Sequence, residues 1–185
     1  SGQLGEGVTP LLAGALFGNH VHGAARLREL IKPGGTEDWF SRYVEQVMHP
    51  VLYCYFEHGL VFEPHLQNIV IGVDASGPAQ VFLRDFEGVK LVSERHGAGQ
   101  LAGVSQRARE ALWYSSELGW KRVVYCLLVN NFCEAVHQVG GGNAALEARL
   151  WQIVRLHLER YQARHGNADS AQRIGALLAG EPLPG

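Results

Sequence analysis

The sequence predicts an α+β fold that is predominantly helical, with a β-hairpin or small antiparallel sheet. The hairpin is predicted by two short apolar runs, 69–73 and 79–83, which flank a turn-forming DASGP segment at 74–78. The helices are predicted by long stretches with apolar residues at helical spacing on both sides of this hairpin. With 185 residues the chain has the usual length of a single domain, so we assign residues 1–185 to one domain.

The N-terminal part is predicted to hold two short helices after a disordered start. Residues 1–8 are rich in glycine, and we expect them to be disordered. A Thr-Pro pair is typical of a helix start, so a short apolar helix is predicted over 9–17. A second helix is predicted over 24–31, where a Lys-Pro-Gly-Gly sequence stops it.

Asn19, His20 and His22 lie in the glycine-flanked break between these two helices. Two histidines two residues apart can bind a metal ion when they lie on a strand. Their position in a loop instead favours ordinary surface histidines.

The next predicted helix runs from Thr36 to about Glu57. Thr36 is typical of an N-cap, and the two acidic residues after it suit the positive end of the helix dipole. Pro50 lacks an amide hydrogen, which predicts a kink or a division at this point. Gly59 is predicted to end the helix in the left-handed conformation, so the segment that follows would start from a fixed position.

The chain after the hairpin is predicted to be helical. The predicted helices cover Val104–Leu118 with Ser105 as a candidate cap, Arg122–Val139, a helix capped by Asn143, and about Ser170–Leu178.

The helix predicted over 122–139 is apolar nearly all round and should be buried. Cys126 and Cys133, seven residues apart, are expected to share one of its faces as small core residues. Its polar residues Asn130, Asn131 and His137 either line a functional site or are satisfied buried groups, and the second interpretation is favoured.

Three oxygen-bearing side chains are expected to meet at the base of the hairpin. Asn68 begins the first strand and Asp85 follows the second, so closing the hairpin brings them together. Glu63 precedes Asn68 by five residues. Carboxylate and amide oxygens are the ligands that Mg²⁺ prefers. The sequence therefore predicts a magnesium site made of Glu63, Asn68 and Asp85.

This spacing has a parallel in protein kinases, where an acid precedes an asparagine by five residues and a metal-binding Asp-Phe-Gly follows. A kinase-like phosphotransferase is therefore one alternative. Against it, the acid is a glutamate here, and the sequence shows no glycine-rich nucleotide loop. A non-catalytic fragment or interaction module is a further alternative.

The same region resembles the signature of the NRPS-independent siderophore synthetases, the aerobactin-synthetase family. The signature is HG-x-x-x-E-x-H-x-Q-N followed by RDFEG, and segments 58–68 and 84–88 carry every member of it. The Leu-Val-Asn-Asn segment at 128–131 and the closing Pro-Leu-Pro are also similar. Synthetases of this family are much longer, so the resemblance implies a C-terminal fragment that holds the ferric-iron-reductase-like domain.

The resemblance implies an ATP-dependent ligase with ATP and Mg²⁺ as cofactors. Such an enzyme adenylates a carboxylate, commonly of citrate or a citrate derivative, and releases pyrophosphate. A polyamine or hydroxamate-type amine, or an alcohol, then displaces AMP. We expect the isolated fragment to be nearly inactive, because the segments that would bind the triphosphate and the acid are not in it.

Three further residues receive roles from this resemblance. His65 is suited to donate a hydrogen bond or positive charge at the phosphorus centre, as the catalytic residue. Gln67 can bond a phosphate or sugar oxygen of the nucleotide. Arg84 can pair with a phosphate, or alternatively form an ion pair with Glu87 or another acid.

Composition excludes several classes of partner. The net charge of −2 gives no electrostatic case for nucleic acid or an anionic membrane. No apolar run reaches the roughly 20 residues that span a bilayer.

The three cysteines bear on the compartment and on iron chemistry. They include no C-x-x-C motif, which fits a reducing cytoplasm. They also offer no cluster for an iron–sulfur centre, so iron reduction is not expected. A homodimer of the full-length protein remains open.

Overall fold

The computed structural model describes residues 3–18 and 23–183, and it confirms a predominantly helical α+β fold with two small sheets. Asn19, His20 and His22 lie outside the described residues, so the interpretation of the two histidines stays a prediction. None of the described helices is long and apolar enough to cross a bilayer.

The strands and helices follow one another along the chain with short connections. The strands are β1 (Thr9–Leu12), β2 (Leu60–Val61), β3 (Ile69–Asp74), β4 (Gly77–Leu83), β5 (Lys90–Val92) and β6 (Trp113–Tyr114). The helices are α1 (Ala13–Phe17), α2 (Gly23–Leu30), α3 (Thr36–His58), α4 (Gln106–Leu112), α5 (Ser116–Val124), α6 (Glu134–Gly140), α7 (Ala144–His165) and α8 (Ala168–Leu178), with a π-helical segment (Tyr125–Cys133) that joins α5 to α6.

The first sheet is antiparallel and has the order β1-β3-β4. The predicted hairpin is confirmed, since β3 pairs with β4 from Ile69 opposite Leu83 to Asp74 opposite Gly77. Strand β1 was not predicted, and the expected helix over 9–17 is correct only for Ala13–Phe17. Residues 9–12 are extended because they pair with β3, and Pro10 is tolerated because β1 is an edge strand.

Helix α3 forms the centre of the molecule and packs against α7 and β4. Its N-cap is Gly35, one residue before the predicted Thr36. Pro50 lies inside a continuous helix, so the predicted division does not occur. Gly59 ends the helix at φ 60° and ψ 28°, which confirms the predicted left-handed cap.

The predicted helix over 104–118 is wrong in its second half. Ser105 does cap α4, but α4 stops at Leu112. The Trp-Tyr pair of β6 then joins the second sheet by pairing in parallel with β5, and Ser115 caps the new helix α5. Two aromatic residues with high strand propensity, followed by a serine cap, explain the break.

The predicted helix over 122–139 lies within one helical run, 116–140, whose middle is π-helical. A π-helix has i→i+5 hydrogen bonds and therefore turns more slowly per residue than an α-helix. Cys126 is buried whereas Cys133 is exposed, so the expectation of a shared buried face is wrong.

The C-terminal helices follow the sequence signals closely. Asn143 caps α7 by accepting a hydrogen bond from the Leu146 amide, as predicted. Helix α8 begins at Ala168, slightly before the predicted Ser170, because Asn167 and Ser170 cap each other's backbone amides.

Candidate functional site

The candidate site is built where the hairpin closes above the end of α3. After Gly59 the chain forms the short strand β2, and the Leu66–Asn68 segment then makes one 3₁₀ turn into β3. The Arg84 amide donates a 2.8 Å hydrogen bond to the Asn68 carbonyl. The structure therefore brings Asn68 beside the Arg84–Asp85 pair, as the hairpin geometry predicts.

The carboxylates of Glu63 and Asp85 face a common space above Gly88. A Cβ atom placed on Gly88 would lie 3.8 Å from Glu63 Oε2 and 3.9 Å from Asp85 Oδ2. Because glycine has no side chain, this gap stays open. A gap bordered by two carboxylates fits a divalent cation bound through oxygen, so the residues present fit Mg²⁺.

Asn68 is buried and bonds within its own segment. Its Nδ2 donates to the Glu63 carbonyl at 3.2 Å and to His65 Nε2 at 3.1 Å. Both amide hydrogens are thereby used, and Oδ1 is the atom that remains for a ligand. His65 Nε2 must accept in this arrangement, so the ring proton resides on Nδ1.

His65 also approaches the first carboxylate, since its Nε2 lies 4.0 Å from Glu63 Oε2. Glu63, His65 and Asn68 thus form one connected group, and Asp85 joins it across Gly88. Among the described residues, no three His, Cys, Asp or Glu side chains are grouped to hold a metal ion. A site with two carboxylates and one amide is nevertheless ordinary for Mg²⁺, which usually takes its other ligands from substrate phosphates and water.

Arg122 is a site residue that the sequence did not indicate. Its Nε lies 3.6 Å from Glu63 Oε1, and its Nη2 contacts the Tyr114 hydroxyl at 3.5 Å. The contact with Tyr114, followed by the charge of Glu63, raises the pKa of the Arg122 guanidinium. No local pattern could have revealed Arg122, because α5 and the Glu63 segment meet only in the tertiary fold.

Asn131 holds the backbone of the motif in place at Pro64. It is fully buried in the π-helical segment, accepts a 2.6 Å hydrogen bond from the Tyr43 hydroxyl, and donates a 2.8 Å bond to the Pro64 carbonyl. The favoured interpretation of Asn131 as a satisfied buried group is confirmed. Its partner is the residue between Glu63 and His65, so this satisfied group also positions the site.

The remaining predicted residues are more exposed. Gln67 and Arg84 are both exposed at the surface. Arg84 makes no ion pair within the described part of the chain, so the alternative pairing with Glu87 is not seen. His137 is exposed and its Nδ1 lies 3.9 Å from Glu147 Oε1, so the favoured interpretation of His137 as a buried group is also wrong.

A shallow depression of about 360 Å³ adjoins the group on the side of His65. His65, Leu66, Gln67 and Asn130 line it. Asn130 is exposed, in contrast to its buried neighbour Asn131, so the favoured interpretation of Asn130 as a satisfied buried group is wrong.

Comparison with known proteins gives three kinds of match. A family model described as "Ferric iron reductase FhuF-like transporter" matches residues 37–184. The chain is 28% identical over 155 residues to the rhizobactin siderophore biosynthesis protein RhbC of Rhizobium meliloti (strain 1021), covering 83% of this chain and 26% of that protein. It is 27% identical over 145 residues to L-2,3-diaminopropanoate–citrate ligase of Staphylococcus aureus, covering 77% and 25%.

Among solved structures, the ATP-bound aerobactin synthetase IucA from a hypervirulent pathotype of Klebsiella pneumoniae superposes with a TM-score of 0.70. The identity is 21%, and the match covers 91% of this chain and 31% of that chain, which shows a shared fold. The chain therefore spans about a quarter of the length of the curated relatives described above.

Proposed function

We propose that this chain forms the metal-binding side of an ATP-dependent ligase. The reason for proposing this class of enzyme is that the chain belongs to the FhuF-like family and to the NRPS-independent siderophore synthetases. The observation that carries the proposal is the gap at Gly88, where Glu63 Oε2 and Asp85 Oδ2 lie 3.8 Å and 3.9 Å from one point, while the Asn68 amide bonds the Glu63 carbonyl. This is the oxygen-rich arrangement that a magnesium–nucleotide site requires.

The proposed reaction has two steps. A carboxylate oxygen of the acid attacks the α-phosphorus of ATP, forming an acyl-adenylate and expelling pyrophosphate. The amine nitrogen or hydroxyl oxygen of a second substrate then attacks the acyl carbon, loses its proton and expels AMP. One relative is named a diaminopropanoate–citrate ligase and one neighbour is titled as ATP-bound, which supports citrate-type acids, amines and ATP as the reactants.

Each residue of the group has a role in the first step. Glu63, Asn68 and Asp85 would hold Mg²⁺, which neutralises phosphate charge when bound. His65 would donate a hydrogen bond from its ring to a phosphate oxygen as negative charge builds up there. Gln67 and Arg84 are exposed beside this group and would contact the nucleotide. Arg122 would hold the Glu63 carboxylate in place through the 3.6 Å contact.

The chain alone is not expected to complete this reaction. It spans about a quarter of its curated relatives, and we infer that the rest of a longer protein binds the triphosphate and the acid. Orientation of both reactants can lower a barrier by roughly 7–11 kcal/mol, but only when both are held. We therefore expect the 185-residue chain to be nearly inactive.

Product analysis tests this proposal. The full-length protein that carries this chain should be incubated with ATP, Mg²⁺, citrate and a diamine, and the nucleotide products separated. We expect AMP and pyrophosphate in equal amounts, formed only when the carboxylate is present. Formation of ADP would contradict the proposal and favour a kinase-like phosphotransferase, the alternative that the spacing of Glu63, Asn68 and Asp85 leaves open.

A further inference from the structure

A pocket at the turn of the β3–β4 hairpin carries an inference about a second binding site. It lies between this turn and the start of α3 and has a volume of about 170 Å³. We call it the Trp39 pocket. The lining residues that matter here are Lys32, Gly35, Asp38, Trp39, Arg42 and Gly77.

We propose that the Trp39 pocket binds a small amino acid in its zwitterionic form, with the carboxylate at Trp39 and the ammonium group at Asp38. This inference goes beyond the proposed function and does not depend on it. Strand β4 runs from Gly77 at the turn to Leu83 beside the metal site, which is roughly 20 Å at about 3.3 Å per residue. The proposed ligand is therefore distinct from the reactants at the Gly88 gap.

Trp39 supplies the observation that points to a ligand. The residue is 4% exposed, and its indole Nε1 is buried without a hydrogen-bond partner in the described part of the chain. An indole N–H can only donate, and a buried donor without an acceptor is costly. A carboxylate oxygen in the pocket would supply the acceptor.

The missing side chain of Gly77 leaves space beside this donor. A Cβ atom placed on Gly77 would lie 3.6 Å from Trp39 Nε1 and 3.7 Å from Arg42 Cδ. The indole and the arginine side chain therefore border the same empty point. A carboxylate bound there would meet a hydrogen-bond donor on one side and a positively charged side chain on the other.

The charged residues of the Trp39 pocket match both ends of a zwitterion. Lys32 and Arg42 are positive, and α3 begins beside Gly35, where the helix dipole also favours an anion. Asp38 is negative. Neither Lys32 nor Asp38 has an ion-pair partner among the described residues. A simple anion would be repelled by Asp38 and a simple cation by Lys32 and Arg42, so a molecule that carries both charges fits best.

The size of the Trp39 pocket limits the ligand to a short side chain. One water molecule needs roughly 10–15 Å³ of such space, so a pocket of about 170 Å³ accepts a molecule the size of alanine or serine. Leu30 also lines the pocket and offers an apolar contact to a methyl group.

Nuclear magnetic resonance of the full-length protein with isotope-labelled tryptophan tests the inference. The Trp39 indole N–H signal is identified as the one that Trp39→Phe removes, and L-alanine, acetate and methylamine are titrated separately. We expect L-alanine to move this signal downfield, with a Kd about two- to fivefold lower than that of acetate, because the ammonium group adds one exposed ion pair. Methylamine should not move it. The signals of Trp113, Trp120 and Trp151 should stay in place.

Asp38→Asn tests the ammonium end, with Glu37→Gln as its matched control. Glu37 is the neighbouring acid, but it pairs with Arg149 at 2.7 Å and does not line the Trp39 pocket. We expect Asp38→Asn to remove the advantage of L-alanine over acetate without weakening acetate binding. Glu37→Gln should keep this advantage.

Two kinds of result would overturn the inference. If L-alanine left the Trp39 signal in place, the pocket would not bind an amino acid. If acetate bound the wild type as tightly as L-alanine, or if the advantage of L-alanine survived in Asp38→Asn, the ligand would not be recognised as a zwitterion. Because binding is measured, neither result depends on whether the protein releases pyrophosphate from ATP.

Discussion

Asp85 carries its carboxylate on an unusual backbone. Its φ of 59° and ψ of 67° make it the one non-glycine residue with positive φ in the part of the chain that the structure describes. Such conformations cost about 1–3 kcal/mol and persist where the surroundings impose them, often at functional sites. Here the turn aims the Asp85 carboxylate over Gly88 towards Glu63.

We expect Asp85→Asn in the full-length protein to lower turnover on the order of 100-fold, because it removes a charged metal ligand. Asparagine tolerates the left-handed conformation much as aspartate does, so its stability should match the wild type. Asp85→Ala should lose as much activity and also some stability. Pyrophosphate release and thermal unfolding measure the two effects. His137→Ala is the matched control and should change turnover little. Near-normal turnover of Asp85→Asn would reject the metal role.

Substitutions at Gly88 give a second test of the metal site, because they change the size of the side chain beside the two carboxylates and leave the charge unchanged. A Cβ at this position meets the two carboxylates at 3.8–3.9 Å, which is ordinary van der Waals contact. Gly88→Ala should therefore be tolerated, whereas the branched side chain of Gly88→Leu should fill the gap. We expect Gly88→Leu to weaken Mn²⁺ binding at least tenfold with little change in unfolding temperature, as measured by electron paramagnetic resonance titration. Equal Mn²⁺ affinity in both variants would show that the metal binds elsewhere.

The π-helical segment matters because its residue Asn131 holds the Pro64 carbonyl of the motif in place. Replacing Asn131 by alanine leaves the buried Tyr43 hydroxyl and the Pro64 carbonyl without their partner. We expect Asn131→Ala to lower the free energy of unfolding by about 1–3 kcal/mol, as measured by urea denaturation. Turnover should fall as well, because the segment between Glu63 and His65 loses its anchor.

Tyr43→Phe is the matched control for that element. It removes the hydroxyl but leaves the Asn131–Pro64 bond intact, so it should cost about 1 kcal/mol and little turnover. If both variants lost turnover equally, the anchor would lie in the core packing around Tyr43 and not in the bond to Pro64.

The elements with strong local signals were predictable, and those imposed by distant partners were not. The hairpin has β-branched runs and a marked turn, and α7 has an asparagine cap and a clear apolar face, so both were predicted. Strand β1 is extended only because β3 lies beside it, and β6 only because it meets β5. The π-helical turn depends on packing that no local pattern encodes.

The same distinction applies to the site. Glu63, Asn68 and Asp85 could be placed together from the sequence, because a hairpin brings its two ends into contact. Arg122 could not, since it reaches Glu63 only through the packing of α5 on the motif. For Asn130 the sequence left two interpretations open, and only the fold shows that it is exposed beside His65. Residues from separate elements converge only once the tertiary fold is known.

In the molecule as a whole, the interface between α3 and α7 buries titratable groups that should make stability depend on pH. His157 is 1% exposed, its Nε2 contacts Ser41 Oγ at 2.9 Å, and its ring lies 5.4 Å from that of His49. Burial, and secondarily the nearby His49, lowers the pKa of His157 from 6.5 to about 4. Burial also lowers the pKa of His49, while Glu45 opposes this shift.

A lowered histidine pKa in the folded state means that the unfolded chain binds the proton more readily. The stability that the folded protein gains from a neutral His157 is fully present above pH 6.5. It is lost as pH falls from 6.5 towards 4. For His157 alone the loss is about 2 kcal/mol at pH 5 relative to pH 7. Urea denaturation at pH 5 and pH 7 should show this loss in the free energy of unfolding of the wild type. The difference between the two pH values should be clearly smaller for His157→Asn. An identical difference in the two proteins would exclude His157 as its source.

The most direct test of the metal site is anomalous diffraction from crystals of the full-length protein grown with Mn²⁺ and a non-hydrolysable ATP analogue. We expect one Mn²⁺ peak at about 2.0–2.3 Å from oxygens of Glu63, Asn68 and Asp85, with phosphate oxygens completing its coordination. A peak on phosphate alone, or on other side chains while Arg122 still pairs with Glu63, would contradict the assignment of these residues as the metal ligands.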